Sequence, residues 1–240
     1  MIDAPEKLER TFEDSTRRIW TTSDPERLIV EYLAQGEGRE DRPADGPGRA
    51  EVNNRVSSRL FEQLQEHGVP THFLGILGAR ETLVRAVRPL PLHVTVRNRA
   101  AGEFARRYGV EEGLPLEPTV IEWSLRSPQL GDPPLNDATA VALGLAAEED
   151  LELMFEIAVE VNEALLDYLG PRGLELVDAR LEFGHTNDGG IILSGDLSPD
   201  SCRLAGSGAP KGEADPRPTV RPAGAELLAR IEGAGHARGG

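Results

Sequence analysis

The stretch Leu174–Leu204 reads LELVDARLEFGHTNDGGIILSGDLSPDSCRL. Leu174, Leu176, Val177, Leu181 and Phe183 supply apolar positions of a strand, and Asn187-Asp188-Gly189-Gly190 is a hairpin turn signal. Ile191, Ile192 and Leu193 begin the return strand, and an acidic loop follows. Asp178, Arg180, Glu182, Asp196, Asp200 and Arg203 are set into this hairpin and its exit. Carboxylates and guanidiniums are costly to bury unless they pair or bind something. The pattern therefore reads either as the wall of a site or as a half-buried strand pair with a solvated charged face.

Outward from the hairpin the elements alternate. A hairpin is expected over residues 6–20, turning near Glu13-Asp14-Ser15, then a strand at Leu28–Val30. Residues 35–50 are rich in Gly, Pro and charge without an apolar anchor, which predicts a loop. Val52, Val56, Leu60 and Leu64 recur every four residues, predicting a helix to His67 that stops at Gly68. Strands are expected near 71–77, 82–88 and 92–97, a helix at Ala100–Tyr108, an interruption at Gly113–Pro118 and a strand at Val120–Leu125. Asp137 is placed to cap a helix at Ala138–Leu143. A longer helix at Glu148–Leu169 carries Leu151, Met154, Phe155, Ala158, Leu165 and Leu169 on one face, and Gly170-Pro171 ends it. Residues 205–240 read as a disordered tail with a short helix at Ala223–Ile231. The class is mixed α+β.

The chain has 240 residues, 39% hydrophobic and 28% charged, an ordinary globular balance. No apolar run reaches the ~18 residues of a membrane span, and MIDAPEKLER holds no signal core, so a cytoplasmic location is expected. A formal net charge of −15 argues against nucleic acid or an anionic membrane as partner. The single cysteine, Cys202, excludes an internal disulfide and reads as a small core residue before a nucleophile. Lys7 and Lys211 are the only lysines. With heavy use of Ala, Gly and Pro, this arginine bias is typical of a GC-rich, actinobacterium-like genome.

LVDARLEFG followed by SPDSCRL closely resembles the signature of the SAICAR synthetase (phosphoribosylaminoimidazole-succinocarboxamide synthase) family, LVD-x-KLEFG and then DE-x-SPD-x-x-R. DPERLIVEYL, VNNRVSSRLFEQLQEHGVPTHF, PLHVTVRNRAAGEFARRYGVEEG and LGDPPLND resemble further family blocks in the same order, from about Glu6 to Leu204. The resemblance implies a small N-terminal β-rich lobe (1–90, with the loop 35–50 and the helix 52–67). It also implies a larger α/β lobe (91–204) carrying a ribonucleotide pocket, a cleft between the two, and self-association. It implies ATP-dependent joining of carboxyaminoimidazole ribonucleotide to aspartate, with Mg²⁺ held by carboxylates. Matching positions are Arg97, Arg203, Ser198, Asp200, Asp132, Asn136 and Asp178, with Arg180 a further substrate-facing position where the family has lysine. Glu182 and Asp196 match the metal and catalytic carboxylates.

Departures cluster on the ATP side. The family's EGKAK turn, which cradles the phosphates, is here Glu13-Asp14-Ser15-Thr16-Arg17. A carboxylate about 4 Å from a phosphate repels it by roughly 4 kcal/mol at an effective dielectric of ~20, about a thousandfold in affinity. The aspartate of the DE pair is Gly195, and arginines replace lysines at Arg180 and Arg49. The PLE glutamate is His93, which reads as a structural histidine or an acid–base group. The AAGS serine is Glu103, which either meets an altered ligand or points to solvent. Together these imply a paralogue acting on a small purine-pathway-like ribonucleotide or nucleoside, with Glu182, Asp196, Asp178 and His93 moving protons and ATP binding lost. It resembles paralogues of coformycin- and pentostatin-type antibiotic pathways. An ordinary SAICAR synthetase and a non-catalytic binding partner on the same fold are the other readings.

Overall fold

Two antiparallel sheets make up the strands of the computed structural model, which describes residues 4–33, 48–206 and 224–233. The first sheet holds β1 (Lys7–Glu13), β2 (Arg17–Thr22), β3 (Arg27–Tyr32), β4 (Phe73–Ile76) and β5 (Glu81–Arg85), in the order β1-β2-β3-β5-β4. The second is built from β6 (Arg88–Arg99), β7 (Pro115–Leu125), β8 (Pro134–Leu135), β9 (Leu174–His185) and β10 (Ile191–Ser194), in the order β10-β9-β6-β7-β8. A further strand, β11 (Cys202–Gly206), pairs with the first half of β9 while β10 pairs with its second half. The segment expected as an acidic loop thus ends in a strand, because Cys202, Leu204 and Ala205 supply buried positions that a loop could not use.

The β9–β10 turn forms as the sequence predicts. Thr186 N–H donates to Gly190 O at 2.8 Å, and Gly189 takes φ +89°, which a side chain would oppose. The helix α1 (Arg49–Glu66) lies between β3 and β4 in the chain, yet Val52, Val56, Leu60, Phe61 and Leu64 join the core beneath the second sheet. They pack with Leu92, Val94, Leu181, Phe183 and with Met154 and Leu165 of α4 (Glu148–Leu169). Phe155, expected on the buried face of α4, is 48% exposed. The stripe runs through Leu151, Met154, Ala158, Val161 and Leu165, and Phe155 falls on its flank.

Other expectations shift locally. The helix expected from Ala100 starts later, as α2 (Glu103–Tyr108), because Gly102 adopts φ +58°. β7 starts at Pro115, inside the segment expected to be irregular. Asn136, not Asp137, caps α3 (Asp137–Ala142), its side-chain oxygen accepting from Thr139 N–H at 2.9 Å. The expected loop 35–50 falls outside the described residues through position 47, and Arg49 and Ala50 already belong to α1. No described helix is long and apolar enough to cross a membrane.

Within the expected disordered tail, α5 (Gly224–Gly233) docks on α1. Leu227, Leu228 and Ile231 are buried in the main core, and Arg55 pairs with Glu232 at 2.6 Å. Tyr168 O–H donates to Ile231 O at 2.7 Å. Helical spacing of three apolar residues, in a segment of tail-like composition, was enough to find a groove. Replacing Leu227 or Ile231 by alanine should each lower unfolding free energy by about 2–4 kcal/mol in urea titrations. Losses below about 0.5 kcal/mol at both would show that α5 is not docked in solution.

Candidate functional site

A one-residue slip in β9 creates the polar wall. Leu204 pairs with Leu176 and Arg203 with Asp178, so Val177 is an extra residue, a β-bulge. Before it Leu174 and Leu176 enter the core; after it Ala179, Leu181 and Phe183 do. Parity therefore changes, and Asp178, Arg180 and Glu182 share the opposite face. On β6, Leu92, Val94 and Val96 are buried in the core, so His93, Thr95 and Arg97 take the face of the polar wall. The two strands align these residues in pairs, His93 with Glu182, Thr95 with Arg180 and Arg97 with Asp178.

At one end the two sheets are joined by Arg17. In the β1–β2 turn, Asp14 Oδ1 accepts from Thr16 N–H at 2.7 Å, Thr16 O–H at 2.7 Å and Arg17 N–H at 2.9 Å. The Asp14 carboxylate, expected to face incoming phosphate, is folded back into its own turn as an Asx-type acceptor. Arg17 is 4% exposed and reaches across to Glu182 through Nη2 and to Asp196 through Nη1 at 3.2 Å. Its Nε lies 3.6 Å from Asp14 Oδ2, and Arg126 approaches Glu182 Oε2 at 3.4 Å. Burial alone would raise the Glu182 carboxyl, but Arg17 above all, then Arg126, hold it down at about 2. Burial pushes His72 down to about 3, reinforced by Arg17, and His93 down to about 4, reinforced by Arg180.

Gly195 belongs to the same arrangement. It has φ +76°, and a Cβ there would lie 2.9 Å from both Cβ and Cδ of Glu182. The position where the family motif carries an aspartate thus has no room for any side chain while Glu182 pairs with Arg17. Glu182 and Asp196, expected to hold a metal ion, share a guanidinium in its place. No described group of three or more His, Cys, Asp or Glu side chains could hold a metal. So placed, the pair does not fit a divalent cation, because its charge is already neutralised from within.

At the other end Arg97 donates from Nε to Glu122 Oε2 at 2.7 Å and from Nη1 to Asp178 Oδ2 at 3.1 Å. Arg203 Nη1 lies 3.7 Å from the same Asp178 oxygen, its guanidinium against Gly102. Burial raises the Asp178 carboxyl despite Arg203 and Arg97. Arg180 stands exposed between the two ends. The SPD loop is tied to α1: Asn53 donates to Asp200 Oδ2 at 2.7 Å, Arg49 pairs with Asp200, and Leu197 N–H donates to Ser57 at 2.9 Å. Buried Ser198 accepts from Asp200 N–H at 3.2 Å.

Three expected ligand residues are engaged elsewhere. Asp132, at φ +47°, accepts from Ser127 N–H at 2.7 Å and closes its own loop. Asn136 is the α3 cap. Glu103 is turned to solvent, its side chain 77% exposed and 3.9 Å from Arg107. Arg17, Arg126, Glu122 and His72 were not nominated from sequence. Glu122 and Ser124 do alternate with Trp123 in the strand pattern, but nothing local marks Arg126 or His72.

The SAICAR synthetase family profile matches residues 13–217. The phosphoribosylaminoimidazole-succinocarboxamide synthase of Deinococcus radiodurans is 41% identical over 197 residues, covering 82% of this chain and 83% of its own. This chain belongs to the SAICAR synthetase family. The corresponding synthase of Coprothermobacter proteolyticus is 39% identical over 202 residues, covering 83% and 85% of the two chains. Among solved structures, the SAICAR synthetase of Pyrococcus horikoshii superposes with TM-score 0.76 at 31% identity, over 90% of this chain and 97% of that one. A SAICAR synthetase in complex with ADP gives 0.75 at 34%, over 83% and 84%. The motif resemblance and the mixed α+β fold it implied both hold.

Two measurements probe this inter-sheet arrangement. Since Glu182 is held below its ordinary 4.5, its stabilisation is present above pH ~4.5 and lost as pH falls towards 2. Glu182→Gln should therefore flatten the acid limb of stability between those values; an unchanged limb would show that Glu182 is not held ionised. Arg17→Met leaves two buried carboxylates without their guanidinium and should cost about 3–5 kcal/mol at pH 7 by chemical denaturation. A cost under ~1 kcal/mol would mean the inter-sheet pairs are not formed.

Proposed function

We propose that this family member acts on a purine-pathway-like ribonucleotide or nucleoside without running the family's ATP-dependent ligation. The observation that carries the reading is the Arg17 guanidinium between Glu182 and Asp196, where a metal-bound triphosphate would need free carboxylates. The altered turn and the lack of space at Gly195 support the same reading. Arg97, Arg203 and exposed Arg180 supply positive charge to hold the ligand, with Ser198 and Asp200 fixing the adjoining loop. Asp178, raised by burial and bordered by exposed Arg203, is the carboxyl best suited to exchange a proton. Glu182, held ionised, serves as a fixed charge. The chemistry fits recruitment to a ring rearrangement in purine nucleoside antibiotic biosynthesis of the coformycin and pentostatin type.

The second reading, a working SAICAR synthetase, is favoured by relatives of that name at 41% identity and by the ADP complex of a protein 34% identical. One assay separates the two: purified protein with carboxyaminoimidazole ribonucleotide, L-aspartate and MgATP, following ADP and the succinocarboxamide. The first reading expects no ADP above background while calorimetry still detects the ribonucleotide. Turnover on the order of 1 s⁻¹ or faster, a normal enzymatic rate, would overturn it.

A further inference from the structure

Helix α4 carries a second apolar stripe beside the one it buries. Leu151, Met154, Ala158, Val161 and Leu165 lie in the core. Phe155, Val159 and Leu166 recur at i, i+4 and i+11, one ridge along the helix, with Phe155 and Leu166 exposed and Val159 partly so. Leu153 is exposed at the other border of the same outer arc. Val141 and Leu143, at the end of α3 where it packs on α4, are exposed as well, Leu143 by 65%. Five of the eleven exposed large hydrophobic residues described thus fall between Val141 and Leu166, so this is a patch and not scattered exposure.

The arc between these apolar borders is acidic throughout. α4 contains eight carboxylates and no lysine, arginine or histidine. All but Asp150 are exposed, and none of those seven side chains is bonded or paired with a described residue. Like charges stand four apart at Glu148 and Glu152, Glu152 and Glu156, Glu156 and Glu160, and Glu163 and Asp167, and each such pair opposes the helix. On α1 and α5, by contrast, Glu51, Glu62, Glu226 and Glu232 each pair with an arginine. The row on α4 therefore finds no counter-charge among the described residues.

An apolar ridge beside a row of carboxylates is the complement of a helix with large apolar residues on one stripe and lysine or arginine alongside. From Glu148 to Asp167 the row runs about 28 Å at ~1.5 Å per residue, room for a partner of about five turns. A second copy of this chain is a poor match, because an isologous contact lays the same carboxylates on one another and the chain carries a net charge of −15. We propose that the outer face of α4 is the docking surface for a basic amphipathic helix of another protein, with Phe155 and Leu166 as apolar anchors and Glu152, Glu156 and Glu163 as the charge match. α4 covers the core side of the second sheet, whereas Asp178, Arg180 and Glu182 lie on the opposite side. Docking leaves that side open, and the proposal does not depend on the function proposed above.

The test uses the full chain and a fluorescein-labelled synthetic 20-residue helix of leucine and lysine, leucines in an i, i+4, i+7, i+11 stripe. A scrambled peptide of the same composition is the control. Anisotropy should give a dissociation constant of about 10 µM or tighter at low salt for the patterned peptide, and at least tenfold weaker binding for the scrambled one. Phe155→Ser with Leu166→Ser should weaken the patterned peptide at least fivefold, and Glu152→Lys with Glu156→Lys and Glu163→Lys at least tenfold. Exposed Glu9, Glu66 and Glu111 changed together to lysine alter the net charge equally and should cost less than threefold. All substituted side chains are exposed, and circular dichroism confirms that each variant is folded. No binding of the patterned peptide, equal binding of the scrambled one, or equal loss in the two lysine variants would overturn the proposal. Self-association in sedimentation that disappears with Phe155→Ser and Leu166→Ser would assign the face to a second copy and overturn it too.

Discussion

The guanidinium of Arg17, almost wholly buried between Glu182 and Asp196, is the interaction on which the placement of the two sheets depends. It leaves the first sheet at β2 and ends on two segments of the second. An ion pair at about 3 Å is worth roughly 5 kcal/mol at an effective dielectric of ~20, and removing the charges from water takes back a comparable amount. The net gain in stability is therefore modest, but the geometry is exacting. Without the arginine Asp196 would be a buried carboxylate lacking this partner and Glu182 would keep only Arg126, so the relative placement of the two sheets at this point is tightly defined. Gly195 is part of the same constraint, because only a residue without a side chain lets Glu182 approach so closely.

That constraint changes how the family's site must be read in this chain. Motif matching brings Glu182 and Asp196 forward as metal ligands, since Glu182 is kept and Asp196 remains as a carboxylate where the DE pair stood. Their charge is met internally, by a residue on the same turn that has lost its phosphate-cradling glycine. The departures at Asp14 and Gly195 meet at Arg17 in one arrangement. Asp14 rigidifies the turn that aims Arg17, Arg17 occupies the carboxylates, and Gly195 makes room for them. The end around Arg97 is built differently. Arg97 is braced by Glu122 and Asp178, while Arg203 and Arg180 remain open to solvent, a pattern suited to receiving an anion rather than to closing on itself.

Much of this was legible in the residues and some was not. The β9–β10 hairpin was readable because its turn has few backbone alternatives. Helices α1 and α4 were readable because a 3.6-residue stripe over four or more turns has one good solution. Asp178, Arg97 and Arg203 were found because they sit within matched motifs, and the structure brings them together. Asp132 and Asn136 matched equally well, and Glu103 stands where the motif has its serine, yet each is absorbed by a loop, a helix cap or solvent. Position in a motif fixes where a backbone goes, whereas the direction of a side chain depends on what else competes for it. The docking of α5 was missed for a related reason. Composition over the whole tail outweighed three apolar residues whose value lies in a groove on α1 that the local sequence does not contain.

The sequence by itself determined the family, the class of fold, the order of the main elements and the residue types available to the cleft. Each of these follows from local periodicity, turn chemistry or long ordered motifs, which act over a few residues or survive as text. Only the tertiary structure decided which charges meet. Arg17 and Glu182 stand 165 residues apart in the chain, and the bulge at Val177 that puts Asp178, Arg180 and Glu182 on the face opposite the core shows itself only as a slip against β11. Pairing across such distances is set by how two sheets pack, and electrostatic partners in a low-dielectric setting are chosen by ångström-scale proximity. No local pattern encodes that proximity, so the state of the site had to come from the folded chain.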